Sequence, residues 1–203
     1  MIISVCKKGV QAINYFARKK DGRINKMKAL KLIYFADRYH LRKYGRPVVG
    51  DTYWAMKLGP VGSNSLDVAN LSENSLGQNC LKYAREYLTR PKEDIKLEEI
   101  ISKKEVLLEV FSESDIEALE NAYKEFGDKD QFELAKTAHE YPEWSKFKKE
   151  IIDEGKKRMR MDYIDFFKNP RKSNSNIFDV PEDHLDTTKE IYLENKEVAN
   201  ILN

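Results

Sequence analysis

Long apolar runs are missing from this sequence. No uninterrupted hydrophobic stretch approaches the about 18 residues that a membrane-spanning helix needs, which excludes a transmembrane protein. The N-terminus also lacks a basic stretch followed by an apolar core and a small-residue cleavage site, so we expect no secretion signal. Together these absences favour a cytoplasmic protein.

Cysteine and histidine are scarce. Cys6 and Cys80 are too few for a disulfide scaffold, and we expect both to be reduced thiols in a cytoplasm. His40, His139 and His184 have no second histidine or cysteine at a metal-ligand spacing, which argues against a zinc site. Glycine-rich phosphate-binding motifs and the G-x-S-x-G nucleophile motif are absent as well. We therefore expect no metal, no cofactor and no enzymatic activity.

Charge, in contrast, is abundant and unevenly distributed. Charged residues make up 34% of the chain, yet the formal net charge is only +2. Residues 1–50 contain 13 Lys+Arg and 2 Asp+Glu, a net charge of +11 that leaves −9 for the remainder. Nucleic acid or an acidic protein could bind such a region. Because no Arg-rich block or alternating aromatic-basic motif accompanies it, pairing with the acidic remainder of the same chain is the first expectation.

Apolar residues spaced three and four apart predict two helices in the first quarter of the chain. Ser4 is the expected N-cap of the first helix. Asn25 is the expected N-cap of the second, which should run to about Lys43 and stop at Gly45. The second helix is apolar almost all round, which is typical of a central element.

One strand is predicted after this helix. Residues 52–58 alternate with a period of two and are rich in aromatic side chains. Gly59 and Pro60 should end the strand, and Pro60 suits the first turn of a new helix over about residues 60–71.

The remaining sequence predicts mainly helices. Residues 80–88 suit a short helix, whereas 95–101 fit a β-hairpin or helical turns equally well. Three later helices are predicted, with starting points at Ser112 or Ser114, at Phe132, and at Glu143.

These elements predict an α+β fold that is predominantly α-helical: a multi-helix domain with a small antiparallel sheet, plus a C-terminal helical extension. The polar, proline-containing stretch 169–175 is the best candidate boundary. We therefore predict a domain over residues 1–168, with an insert at about 72–106, and a linker with a C-terminal helix over 169–203.

Asp37 falls on the apolar stripe of the second helix, between Tyr34 and Leu41. An unpaired buried charge costs several kcal/mol, so this carboxylate must find partners. An internal ion pair or a hydrogen bond to a tyrosine is the favoured interpretation, because structural pairing is the commoner fate of such groups. A binding-site acid is the alternative.

Three blocks of sequence together resemble a known family. They read MKALKLIYFADRYHL at 27–41, GRP at 45–47 followed by DTYWAMKLGPV at 51–61, and Glu133-Leu134 with His139-Glu140 and Trp144 farther on. This pattern is similar to the Panacea domain, also called the SocA-like antitoxin domain, which phage-associated GepA-like proteins share. The resemblance covers about residues 4–150.

The resemblance implies a non-enzymatic protein of a bacterium or phage. Panacea proteins act as antitoxins in toxin–antitoxin modules, usually by binding a protein toxin directly, and a type II antitoxin is therefore the first prediction. One branch instead delivers its toxin to the ClpXP protease as an adaptor, which gives a second hypothesis. A DNA-binding autoregulator of its operon and an enzyme with a Cys or His nucleophile follow. A homodimer is an open alternative, and no membrane partner is expected.

Candidate partner-binding residues come from the family motif and from charge. Lys28, Lys31, Arg38 and Arg42 recur at spacings of three, seven and four, which places a basic stripe on one helix for an acidic toxin face. A solvated stripe, or one paired with the acidic C-terminal part, is the alternative. The motif positions and neighbouring aromatic residues complete the set: Lys31, Asp37, Tyr53, Trp54, Gly59, Pro60, His139 and Trp144.

Overall fold

A central helix organises the fold of this protein, whose computed structural model describes residues 2–91, 98–171 and 175–201. This helix, α2, spans Lys26–Tyr44, and its residues 28–42 are all buried. The predicted ends are confirmed, since the Asn25 side chain accepts the backbone N–H of Lys28 and Gly45 ends the helix at φ 70°. Within the described ranges, no helix is long and apolar enough to span a bilayer.

Four helices pack around α2: α1 (Ile2–Lys19), α5 (Glu113–Phe126), α6 (Gln131–Ala138) and α8 (Glu182–Ile201). Helix α1 begins before Ser4, so the predicted Ser4 N-cap is wrong, and the apolar start of the chain continues the helix instead. Of the two predicted starting points for α5, Ser112 is the N-cap, and it forms a capping box with Asp115.

A β-hairpin follows α2, formed by β2 (Tyr53–Met56) and β3 (Gly59–Gly62). The predicted strand is confirmed at its centre, but the predicted helix start at Pro60 is wrong, because Pro60 lies in β3 opposite Ala55. The next helix, α3, spans Ser63–Asn70. Its N-terminus is satisfied by the Asp51 carboxylate, which accepts the backbone N–H groups of Asn64 and Ser65 at 2.9 and 2.7 Å.

A second small sheet joins distant parts of the chain. Helix α4 (Gln78–Tyr87) leads into the strand that we label β4 (Leu88–Thr89), and the partners are β1 (Arg23–Asn25) and β5 (Glu99–Ser102), in the order β1-β5-β4. Ile100 and Ile101 lie in strand β5, which pairs with β1 and β4. Residues 95–97 lie outside the described residues, so a hairpin within 95–101 stays a prediction.

The other sheet has the order β3-β2-β6, with β6 at Met159–Arg160. Between these sheets and the C-terminal helix lie a short helix, α7 (Pro142–Ser145), a π-helical turn at Lys149–Asp153 and a 3₁₀ turn at Tyr163–Phe167. The predominantly helical α+β class is confirmed, and the described residues form two three-stranded antiparallel sheets where one was predicted.

Residues beyond 168 help to complete the core. Phe178 is only 2% exposed and packs against Phe35 and Phe126, and the Thr188 hydroxyl donates to the backbone oxygen of Arg42 at 3.0 Å. The boundary at 169–175 stays a prediction, and residues 172–174 and 202–203 lie outside the described part of the chain. The C-terminal segment is therefore packed onto the body and not held apart from it.

Cys6 and Cys80 form a disulfide with a Cα–Cα distance of 6.0 Å. The expectation of two separate reduced thiols is therefore wrong for this structure. The cause is the packing of α1 against α4, which brings together two residues 74 positions apart in sequence.

Basic residues of the first quarter of the chain pair with acidic residues of later segments, as the charge distribution predicts. Asp115 accepts Lys8 and Arg46 at 2.7 and 2.8 Å, and Glu117 accepts Lys43 at 2.6 Å. Much of the charge asymmetry is thus neutralised inside the molecule.

Candidate functional site

The side chain of Asp37, a residue of α2, is fully buried and connects this helix to the segment that follows it. Its carboxylate oxygens accept the backbone N–H of Val49 at 2.8 Å and the hydroxyl of Tyr53 at 3.0 Å. Burial raises the pKa of Asp37 to about 7, although both hydrogen bonds act in the opposite direction. The favoured interpretation, a hydrogen bond to a tyrosine, is confirmed.

Lys31, Gly59 and Pro60 meet where α2 contacts the hairpin. The Lys31 ammonium donates to the backbone oxygen of Pro60 at 2.6 Å. Gly59 has a φ of 90°, and a Cβ there would lie 3.1 Å from Lys31 Cε, so glycine suits both the backbone and the close approach. Burial lowers the pKa of Lys31 to about 7.

His139 and Trp144 stack at the other side of the hairpin, with ring centroids 3.6 Å apart. The indole N–H of Trp144 donates to the backbone oxygen of Met56 at 2.9 Å, and this tryptophan is 1% exposed, so it packs into the core. Burial lowers the pKa of His139 to about 4, and the nearby charge of Lys31 acts in the same direction, so the imidazole is neutral at pH 7. Its Nε2 has no hydrogen-bond partner among the described residues.

Arg38 forms a buried ion pair that the sequence did not reveal. Its Nη1 donates to both carboxylate oxygens of Glu143, and the hydroxyl of Tyr34 donates to the same carboxylate at 2.5 Å. The Arg38 guanidinium also lies 4.2 Å from the ring centroid of Tyr141. This cluster links α2 to α7.

Arg42 and Lys28 donate mainly to backbone oxygens. Arg42 contacts the backbone oxygens of Phe178 and Phe166, each at 3.0 Å, and the side-chain oxygen of Asn169 at 2.6 Å. Lys28 donates to the backbone oxygen of Gly127 at 2.5 Å. These bonds fasten three later segments to α2.

The basic stripe predicted on the second helix is therefore not an exposed surface. All four of its side chains are buried, and each is engaged inside the molecule: Lys28, Lys31, Arg38 and Arg42. The physical reason is the central position of α2, whose residues 28–42 are all buried by the segments packed around them. The alternative prediction, pairing with the later and acidic part of the chain, holds for Arg38, which forms an ion pair with Glu143.

The structure thus brings most of the predicted motif positions together, but inside the fold. Tyr53 is 2% exposed and belongs to the core, whereas the neighbouring Trp54 is partly exposed and carries the Arg158 guanidinium 4.5 Å from its ring centroid. That the motif positions contact a partner stays a prediction. In the structure, the buried ones connect α2, the hairpin and α7.

A groove opens beside this buried cluster, between the start of α2, the turn of the hairpin and the segment that follows α7. Its volume is about 720 Å³. We call it the α2–hairpin groove and define it by its lining: Lys26, Met27, Leu30, Lys31, Met56, Lys57, Leu58, Val61, Leu66, Ile151, Ile152, Gly155, Lys156 and Lys157. Leu58 and Ile152 are 49% and 44% exposed, which is high for large apolar side chains.

The sequence interpretation missed this groove almost entirely. Lys57 and Leu58 form the turn of the hairpin, whereas the sequence pattern predicts that Gly59 and Pro60 end a single strand. The opposite wall comes from residues 151–157, nearly 100 positions later, so no local pattern joins the two. A two-residue hairpin turn at Lys57 and Leu58, followed by Gly59, is the local pattern that could have indicated this part of the groove.

Comparison with known families agrees with the motif positions. The family model described as "Antitoxin SocA-like, Panacea domain" matches residues 30–145, which is more than half of the chain. The matched range contains Lys31, Asp37 and the hairpin, and it ends just past Trp144. No curated protein and no solved structure matches the chain. The chain belongs to the family of SocA-like antitoxins with a Panacea domain, which indicates an antitoxin role and a toxin as its partner.

Proposed function

We propose that this protein is the antitoxin of a type II toxin–antitoxin module and neutralises a cognate protein toxin by binding it directly in the cytoplasm. The family match over residues 30–145 carries the proposal. The fold itself does not name the toxin, because one fold can carry many partner specificities.

The surface of the molecule supports a protein partner. The α2–hairpin groove exposes apolar side chains and has lysines at its border, which matches the apolar centre and polar rim of protein interfaces. A rigid frame supports it, since Lys31 and Trp144 both hold the hairpin through backbone oxygens.

We further propose that the protein acts by binding and not by turnover. Three buried groups with the chemistry to serve a catalyst, Lys31, Asp37 and Glu143, have hydrogen-bond partners within the fold. In this proposal they maintain the geometry of α2 and its neighbours, and the partner is recognised at the surface.

Coexpression tests the proposal. The reading frame adjacent to this gene is induced in a bacterial host with and without the full chain, and growth and copurification are measured. We expect growth arrest by the neighbour alone, recovery with this chain, and a stable complex of the two proteins. Arrest that the chain fails to relieve, or recovery without any complex, contradicts direct neutralisation.

The same cells separate direct binding from the alternatives. Under direct binding, recovery persists in a host that lacks ClpXP and the amount of toxin is unchanged. Recovery that requires ClpXP and is accompanied by loss of the toxin supports the adaptor hypothesis instead. For the autoregulator hypothesis, a mobility shift of the operon DNA at low salt, weakening as salt rises, is the diagnostic result.

A further inference from the structure

The α2–hairpin groove combines apolar and cationic side chains and has no acidic residue among those that line it. Eight of its lining residues are large and apolar, and five are lysines. Such segregation is notable in a chain that contains 34 Asp+Glu. A groove of one charge sign attracts and selects ligands of the opposite sign.

Three exposed lysines at the groove carry charge that the fold leaves largely available. Lys57 and Lys157 have no ion pair within residues 2–91, 98–171 and 175–201, and Lys156 has only a 3.4 Å contact with Glu154. Lys26, in contrast, is already paired with Glu98, and Lys31 is buried against Pro60. The open positive charge therefore lies on Lys57 at one wall and on Lys156 and Lys157 at the other.

The apolar part of the groove is exposed on both walls as well. Leu58 projects from the hairpin turn and Ile152 from the π-helical turn, and each exposes more than two fifths of its surface. Covering such side chains with a partner's apolar groups is favourable by about 25 cal/mol per Å² of apolar area buried. Carboxylates of the partner that lie next to those apolar groups would then contact the exposed lysines of the groove.

We propose that the α2–hairpin groove binds a short segment of the toxin that presents apolar side chains flanked by aspartate or glutamate. This inference rests on the proposed function, since it assigns a surface to the toxin. The apolar contacts prolong the complex, while Lys57, Lys156 and Lys157 speed encounter and reject basic segments, which would place like charges together.

The two walls of the groove relate differently to the family. The α2 and hairpin wall lies mainly within the matched residues 30–145, whereas Ile151–Lys157 lies beyond them. Lys26 and Met27 of the first wall also lie outside the match, but the second wall is the one that the family model does not cover at all. We place the selection of the individual toxin there.

Binding of the purified toxin to groove variants tests the inference. Leu58→Ser and the double reversal Lys57→Glu with Lys157→Glu alter exposed side chains, so the fold should persist, which circular dichroism and urea unfolding check. We expect each variant to weaken the toxin complex by at least about tenfold. The double reversal should also lower the association rate and its dependence on salt. Matched controls outside the groove, Val198→Ser and Lys124→Glu with Lys196→Glu, should bind as the wild type does.

A peptide arm is independent of the toxin. The probe is a peptide of about 12 residues, long enough for roughly three helical turns when bound, with leucines three and four apart and glutamates at both ends. The control peptide has lysines in place of the glutamates. We expect the wild type to bind the acidic peptide, the double reversal to lose it, and the basic peptide to bind neither.

The two arms distinguish the possible failures. If the wild type binds and neutralises the toxin but the groove variants do so equally well, the groove inference is overturned and the proposed function stands. If the toxin is not bound while the acidic peptide still requires Lys57 and Lys157, the groove inference stands for acidic segments and the proposed function fails. Loss of toxin binding in the control variants also overturns the assignment to the groove.

Discussion

Nη1 of Arg38 donates to both carboxylate oxygens of Glu143, at 2.5 and 2.6 Å, with both side chains shielded from solvent. Removing one member of such a pair leaves an uncompensated charge in the core. Arg38→Ala should therefore lower the free energy of unfolding by about 3–5 kcal/mol. Urea denaturation measures the loss.

The control for this prediction is an exposed pair. Lys104 contacts Glu86 at 2.6 Å, with 52% and 47% of the two side chains exposed, so water screens the pair and Lys104→Ala should leave the urea denaturation curve close to that of the wild type. Equal effects at the two sites would contradict the importance of burial.

Asp37 should give the stability of this protein a distinctive pH dependence. Its pKa is about 7, above its ordinary value of 3.8, so between these pH values the native state holds a proton that the unfolded state has released. The contribution of this group to stability therefore falls as pH rises through that window and is constant above it. Compared with the wild type, Asp37→Asn should gain on the order of 2–4 kcal/mol in relative stability from pH 4 to pH 8.

Asp115 supplies a control of opposite sign. Burial opposes the shift, but hydrogen bonds from Lys8 and from the backbone of Ser112 hold the pKa of Asp115 below its ordinary value. Its stabilising contribution is present above the unfolded-state pKa and is lost in acid. The advantage of the wild type over Asp115→Asn should therefore shrink as pH falls below about 4. Parallel curves for the two variants would contradict both assignments.

The disulfide between Cys6 and Cys80 should make stability depend on redox conditions. It closes a sequence separation of 74 residues, and the chain-entropy model assigns such a loop about 4 kcal/mol. Reduction should lower the melting temperature of the wild type to that of Cys80→Ser, which itself should not respond to reductant. Two titratable thiols in the unfolded, unreduced protein would contradict the cross-link.

Phe178 should be essential to the stability of residues far from it in sequence. Phe178→Ala removes a ring packed on Phe35 and Phe126 and should cost about 3–5 kcal/mol in unfolding free energy. Phe132 is 60% exposed, so Phe132→Ala should stay within about 0.5 kcal/mol of the wild type. A small effect of Phe178→Ala would show that the C-terminal segment is not part of the core.

How far the sequence predicts this structure depends on whether a signal is local. Asn25 and Gly45 mark the ends of α2 because each acts within one helical turn of its own position. Pro60 misled because its fixed φ suits both the first turn of a helix and a short strand, and the choice depends on pairing with Ala55. Local chemistry was therefore sufficient for helix ends and insufficient for the hairpin.

The candidate site shows the same limit more strongly. The spacing of Lys31, Arg38 and Arg42 indicates a shared helix face, but not whether water or protein covers that face. Glu143 lies 105 residues from Arg38, and no periodicity joins the two. The groove likewise requires three separate segments to meet, which only tertiary packing determines.

The position of Phe178 in the core has a consequence for biosynthesis. Phe35 and Phe126 are synthesised before Phe178, whose ring covers them in the folded protein. During translation these two side chains therefore stay accessible to water or to chaperones until Phe178 can pack on them. The nascent chain reaches its final state only after residue 178 has emerged, and a molecule released earlier would leave that aromatic layer uncovered.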